Sequence, residues 1–138
     1  MKKNTLAIIF LLVGLFLVAS TSIGLAQSDY TIMTAQNADL GNYLVDGQGR
    51  TLYYFTKDAP GVSSTTGKVA ANWPAFYAGE IIVPSNLDSS DFGTITRADG
   101  TKQTTFRGWP LYYFSKDMVV GDMKGQNIIS SWFIVNVN

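Results

Sequence analysis

The chain contains no cysteine and no histidine. Zinc, copper, haem and iron–sulfur centres draw most of their ligands from those two residues, so none of these cofactors is expected. A Ser-His-Asp or Cys-His nucleophile system cannot be assembled, and neither can a disulfide. Glutamate occurs once, at Glu80. Lysine and arginine are few and scattered, without the clustered basic face that nucleic acid requires. No nucleic-acid partner is therefore expected. Long apolar runs are also scarce, and the one present lies at the N-terminus.

That run extends from Leu6 to Val18, interrupted only by Gly14, and follows Lys2 and Lys3. Its 13 residues match a signal-peptide core. Gly24 and Ala26 then place small residues at the −3 and −1 positions of a cleavage site before Gln27. The expectation is a signal peptide over residues 1–26 and an exported domain over 27–138. The alternative is an uncleaved N-terminal anchor. The core is short for a span, which needs about 20 apolar residues, and a membrane partner enters only if the segment is retained. Cleavage leaves 112 residues, with eight basic against ten acidic. That is one ordinary domain, and its stability must come from packing.

Self-similarity organises the exported part. Leu52-Tyr53-Tyr54-Phe55-Thr56-Lys57-Asp58 recurs as Leu111-Tyr112-Tyr113-Phe114-Ser115-Lys116-Asp117, at an offset of 59 residues. Trp73 and Trp132 share that offset. Fixed-offset similarity marks duplicated structural units. Copy one is placed at about 40–77 and copy two at about 93–136. Upstream, Asp46-Gly47 is matched with Asp99-Gly100, which requires copy two to carry an insertion from Gln103 to Pro110.

The pattern is mostly strand. Asn42–Val45 and Thr51–Phe55 flank a glycine-rich turn, and Thr94–Arg97 and Lys102–Phe106 flank another. Arg107-Gly108 turns the chain into Leu111–Phe114. Trp132–Val137 closes the sheet, and Tyr30–Thr34 opens it. Ala70–Trp73 reads as a short helical turn stopped by Pro74. The expected fold is mainly β: a single domain of two pseudo-symmetric antiparallel β repeat units with short helical turns.

Along the motif strand, Leu52 and Tyr54 point one way and Tyr53 and Phe55 the other. Both faces are apolar, which implies cover on both. Trp73 and Trp132 are expected to pack over one side. The motif residues Tyr53, Phe55, Asp58, Trp73, Tyr112, Phe114, Asp117 and Trp132 are thus read as structural. Asp58 and Asp117 fasten corners by accepting turn N–H groups. The functional alternative is a polar site between the copies.

The doubled pattern Tyr-x-(Phe/Trp/Tyr)-x-x-Asp resembles the secreted repeat family, also described as predicted lipoproteins of bacteria and archaea. Thr65-Thr66-Gly67-Lys68-Val69-Ala70-Ala71-Asn72-Trp73-Pro74 is similar to that family's Cys-x-Gly-x-Cys-Ala-x-x-Trp-Pro segment. Ala98–Gln103 and Gly108–Leu111 resemble its second copy. Thr65 and Val69 stand in place of the cysteines, and no lipidated cysteine follows the apolar run. The resemblance implies a fold and export, and no activity.

Three functions compete. The first is a non-catalytic module that binds an extracytoplasmic or cell-envelope partner. Missing nucleophile and metal-ligand sets favour it. The second is a small-ligand or glycan-binding protein with exposed aromatic platforms, which core burial of the rings would oppose. The third is a carboxylate-dependent hydrolase built from Glu80 with Asp58, Asp117 or Asp122. Asp117, Asp122 and Asn127 could also supply calcium oxygens, but their spacing is not that of an EF-hand. A solvated loop is the simpler reading. No catalytic, cofactor-binding or metal-binding residue is assigned.

Overall fold

A computed structural model describes residues 28–138, and the signal-peptide expectation for 1–26 lies outside them. Within the described residues the chain is mainly β. Strand β1 (Ile32–Asn37) pairs antiparallel with β2 (Gly41–Asp46), and the next strand is β3 (Tyr53–Phe55). Helix α1 (Gly67–Asn72) and a 3-10 turn (Ser89–Asp91) precede β4 (Phe92–Thr96). Then come β5 (Lys102–Phe106), β6 (Trp109–Pro110) and β7 (Trp132–Ile134). Strands β4, β5 and β6 form one sheet, and β3 pairs with β7.

The two repeats exchange partners. In the first copy, β3 lies antiparallel to β7 of the second, with Tyr53 opposite Ile134 and Phe55 opposite Trp132. Reciprocally, Tyr112 of the second copy bridges Ala75 of the first. Thr56 N–H donates to Ser131 O at 2.9 Å, and Ser115 N–H donates to Asn72 O at 2.9 Å. Each of these pairs maps onto the other at the offset of 59. The motifs also meet directly: Tyr53 and Tyr112 exchange both backbone hydrogen bonds at 2.9 Å. A pseudo-twofold axis runs between them.

One half of this symmetric arrangement is less regular. Leu111–Phe114, expected as a strand, forms only isolated bridges. Its neighbour there is Pro74, which occupies the place of Phe133. Proline accepts from Tyr113 N–H but has no N–H to return, so the ladder cannot close. The expected hairpin between β2 and the motif is also reduced, to the single Val45–Thr51 bridge, made by Asp46 N–H to Arg50 O and Leu52 N–H to Leu44 O. Beyond that point Leu52 O accepts from Val135 and Tyr53 O from Tyr112, so the chain has left β2 for other partners. Strand β2 instead takes β1 along its length. Helix α1 begins three residues before the expected turn and ends before Pro74 as anticipated.

The backbone bonds also correct the upstream alignment of the copies. Leu44 N–H donates to Val135 O and Leu44 O accepts from Leu52. Thr104 makes the same two contacts, donating to Phe76 O and accepting from Leu111. Strand β5 is therefore the counterpart of β2, and β4 of β1. Asp99-Gly100 corresponds to the turn after β1, not to Asp46-Gly47. The eight-residue insertion from Gln103 to Pro110 shrinks to a difference of one residue in the turn before the motif. Gly49 and Gly108 sit in those turns with φ of 85° and 87°, a conformation suited to glycine.

Two apolar layers fill the interior, divided by the strand alternation read from the motif. Tyr53, Phe55, Tyr112, Phe114, Trp73 and Trp132 share one layer, with Tyr43, Val45 and Ile134. Leu52 and Leu111 lie in the other, among Ile32, Leu44, Phe76 and Phe106. Tyr54 and Tyr113 pack against this second layer but are only half-buried. The motif strands are covered on both sides, more completely on the side of the tryptophans.

Candidate functional site

The exchanged backbone brings the eight motif residues to the pseudo-twofold axis. Tyr53 Oη donates to Asp117 Oδ2 at 2.6 Å, and Tyr112 Oη donates to Asp58 Oδ2 at 2.6 Å. Each tyrosine thus bonds the aspartate of the other copy. Each phenol has one proton, so the second contact of each oxygen is accepted. Gly125 N–H donates to Tyr53 Oη at 3.2 Å, and Ser63 Oγ donates to Tyr112 Oη at 2.6 Å. The free Oδ1 of Asp58 takes Ser64 N–H at 2.8 Å and Ser64 Oγ at 2.7 Å. The Oδ1 of Asp117 takes Lys124 N–H at 2.9 Å. Both carboxylates therefore fasten loops, as the sequence suggests, and also join the copies, which it did not show.

Burial shapes the electrostatics here. It pushes the Tyr53 phenol far up, assisted by the hydrogen bond to Asp117. Tyr112 is raised for the same reason, with Asp58 as its partner. The carboxyl of Asp117 is raised by burial, against the lowering effects of Tyr53 and Lys124 N–H. Among the described residues every buried side-chain polar atom has a hydrogen-bond partner. Such a fully satisfied network is rigid.

Beside it the aromatic rings form one pile. Trp73 and Trp132 stack with centroids 3.9 Å apart and planes 1° from parallel. Phe114 lies on the outer face of Trp73 and Phe55 on that of Trp132, each at 4.2 Å. Tyr53 meets Trp73 edge-on at 5.3 Å, and Tyr112 meets Trp132 at 5.1 Å. Trp132 is 1% exposed. These rings are core, not a stacking platform for a ligand. Gly125 is held against them: a Cβ there would fall 2.6 Å from Trp73 Cη2.

Open space lies outside this centre. A cleft of about 360 Å³ is lined by Tyr54, Phe106, Arg107, Trp109, Val135 and Asn136. Tyr54 and Trp109 are half-buried, with ring centroids 5.9 Å apart, and Phe133 adjoins Tyr54 at 6.1 Å. Arg107 covers the Phe106 ring at 4.8 Å and reaches Asp91 at 3.3 Å. The cleft therefore combines ring faces with a guanidinium and an amide. The copies differ here, because Trp109 stands where copy one has Arg50. Arg50 in turn covers the Tyr113 ring at 4.1 Å, and Tyr113 Oη donates to Asp46 Oδ2 at 2.7 Å.

Sequence reasoning missed this cleft. The available signal was Trp109-Pro110 facing Arg50-Thr51 just before each Leu-Tyr-Tyr-Phe, and the misplaced insertion hid it. Of the residues weighed for other chemistry, Asp117 and Asp122 lie near enough for the Asp122 charge to add to the rise of the Asp117 carboxyl. Glu80 is exposed, while Asp58 and Asp117 are occupied as described. Asp122 accepts Met118 N–H and Val119 N–H through Oδ2, at 2.8 and 3.2 Å. Among the described residues no group of three or more acidic side chains forms a cage for a metal ion.

A family model described as a secreted repeat of unknown function matches the chain twice, over residues 34–76 and 93–136. Those ranges run from β1 to Phe76 and from β4 past β7. No curated protein and no solved structure matches the chain.

Proposed function

The chain belongs to this family of secreted repeats, and from that premise we propose that it is a non-catalytic extracytoplasmic binding module. The observation that carries this reading is the reciprocal Tyr–Asp crossing. The groups best suited to chemistry, Asp58, Asp117, Tyr53 and Tyr112, spend their hydrogen bonds holding the two copies together. What remains for function is surface.

A more specific reading is favoured by the Tyr54–Trp109 cleft. Half-exposed rings beside Arg107 and Asn136 suit a small ligand with both apolar faces and hydroxyls, such as a short glycan of the cell envelope. Stacking supplies affinity, and the polar groups supply orientation. The test is titration with soluble envelope oligosaccharides, followed by amide chemical shifts. Shifts are expected around Tyr54, Trp109 and Asn136, and Trp109→Ala should abolish them while the chain stays folded. If they leave the cleft unmoved, the glycan reading fails. Turnover of the same oligosaccharides would overturn the non-catalytic one.

A further inference from the structure

The cleft beside Tyr54 has a twin in the other copy. Gly47 N–H donates to Thr31 O at 2.9 Å, and Arg107 N–H donates to Asp91 O at 2.7 Å. Gly47 thus corresponds to Arg107, in line with the match of β2 and β5. Tyr113, Phe76 and Tyr77 correspond to Tyr54, Val135 and Asn136 at the offset of 59. These residues line a second cleft, of about 330 Å³, together with Asp46, Gln48 and Tyr30. Both clefts lie on the same side of the motif strands, where Tyr54 and Tyr113 pack on the second apolar layer.

Duplication accounts for a twin groove but not for what lines it. Among the described residues the exposed large apolar side chains include two aromatics, Tyr30 at 41% and Tyr77 at 45%, and both border this cleft. Copy two carries Ser90 and Asn136 at the equivalent positions, so the fold does not require rings there. The rim is held in place, because a Cβ on Gly47 would collide with Tyr30 O. The floor offers acceptors. Tyr113 Oη gives its proton to Asp46 Oδ2 at 2.7 Å, while Asp46 Oδ1 takes Gln48 N–H and Arg50 N–H, both at 2.9 Å. The Arg50 guanidinium on the Tyr113 ring sets a positive charge beside this carboxylate. Exposed rings around a hydrogen-bonding floor of balanced charge suit a neutral polyhydroxylated ligand rather than an ion.

We propose that the cleft between Tyr30 and Tyr77 binds a second stretch of the same class of glycan, which makes the domain bivalent. The ligand class rests on the glycan reading of the Tyr54–Trp109 cleft; the site itself rests on its own residues. Two such sites on one side of a rigid domain bridge two segments of a repeating polymer, which a single site cannot do.

The test titrates the exported protein with short soluble envelope oligosaccharides, using calorimetry for stoichiometry and amide shifts for location. Two ligands per chain are expected, with one set of shifts at Tyr54 and Trp109 and another at Gln48, Tyr77 and Ala78. Tyr77→Ala, at an exposed ring, should remove the second set, leave the first, and lower the stoichiometry from two to one. Trp109→Ala should do the converse. Tyr30→Ser, which takes the copy-two residue at that position, should weaken the second set by on the order of tenfold. One ligand per chain, with shifts confined to Tyr54 and Trp109, overturns the second site and leaves the first reading standing. Shifts at Tyr77 alone uphold the second site and remove the first. Silence in both clefts overturns both. Second-set shifts that survive Tyr77→Ala and Tyr30→Ser unchanged also overturn the proposal, because the rings would then hold nothing.

Discussion

Around Asp58 the carboxylate takes Tyr112, Ser64 N–H and Ser64 Oγ, whereas around Asp117 it takes only Tyr53 and Lys124 N–H. The crossings are alike in their tyrosines, their backbone and the rings beside them. They differ where the loops leave the axis: one loop turns inward on serines and a glycine, and the other projects the exposed apolar tip Met118-Val119-Val120. Residues shared across the axis are fixed because each serves its own copy and the other's. The loops beyond are free to diverge. Function is therefore to be sought where the copies disagree, at Trp109 against Arg50 and at Asn136 against Tyr77.

The largest loss of stability is expected in alkali. The folded state raises Tyr53, Tyr112 and Tyr113 above the ordinary tyrosine value of 10.0, first by burial and then by their aspartate partners. A raised folded value means that stability is fully present below about 10 and is lost as pH climbs beyond it. Phenolate absorbance and backbone circular dichroism should change together in a pH titration. If phenolates appear while the fold persists, the crossings are more open than their geometry indicates.

Next come the stacked tryptophans. Trp132→Ala and Trp73→Ala should each cost about 3–5 kcal/mol, a large part of a total of about 5–15. Urea denaturation measures both. Near-equal losses sharpen the pseudo-twofold; a disparity of several kcal/mol breaks it. Tyr54→Ala, at a half-buried ring, should cost clearly less than either.

The carboxylates discriminate between the two crossings. Removing one leaves a buried phenol without its acceptor, which costs about 1–3 kcal/mol. Asp58→Ala should lie toward the top of that range and Asp117→Ala lower, since Asp117 makes fewer bonds and its charge is opposed by burial. A double-mutant cycle of Asp58→Ala with Tyr112→Phe, read by denaturant midpoints, should show coupling across the copies. Additive losses would mean that each aspartate serves only its own corner.

The smallest effect belongs to the projecting tip. Replacing Met118, Val119 and Val120 together by serine should change stability by no more than about 0.5 kcal/mol per residue. A larger loss in the same denaturation assay would mean that the tip packs on the fold and would erase the contrast with copy one.

The sequence by itself determined the duplication, the mainly β class, the two-sided burial of the motif strands and the stop of α1 at Pro74. These follow from local pattern: side-chain alternation, the constant offset and the missing proline N–H. It also marked Asp58 and Asp117 as corner residues, because an acceptor beside a turn declares itself within a few positions. What it could not determine was which copy each residue serves. Tyr53 bonds Asp117 and Trp73 stacks on Trp132 across 64 and 59 residues, and a repeat pairing within itself would read the same. Nor could it align β2 with β5, since Leu44 and Thr104 share backbone partners and not side-chain chemistry. The glycine turns offered a nearer, false match. Only the packed structure decides these, because exchange between copies is a choice among partners of nearly equal local propensity, made by the rings that fit together at the axis.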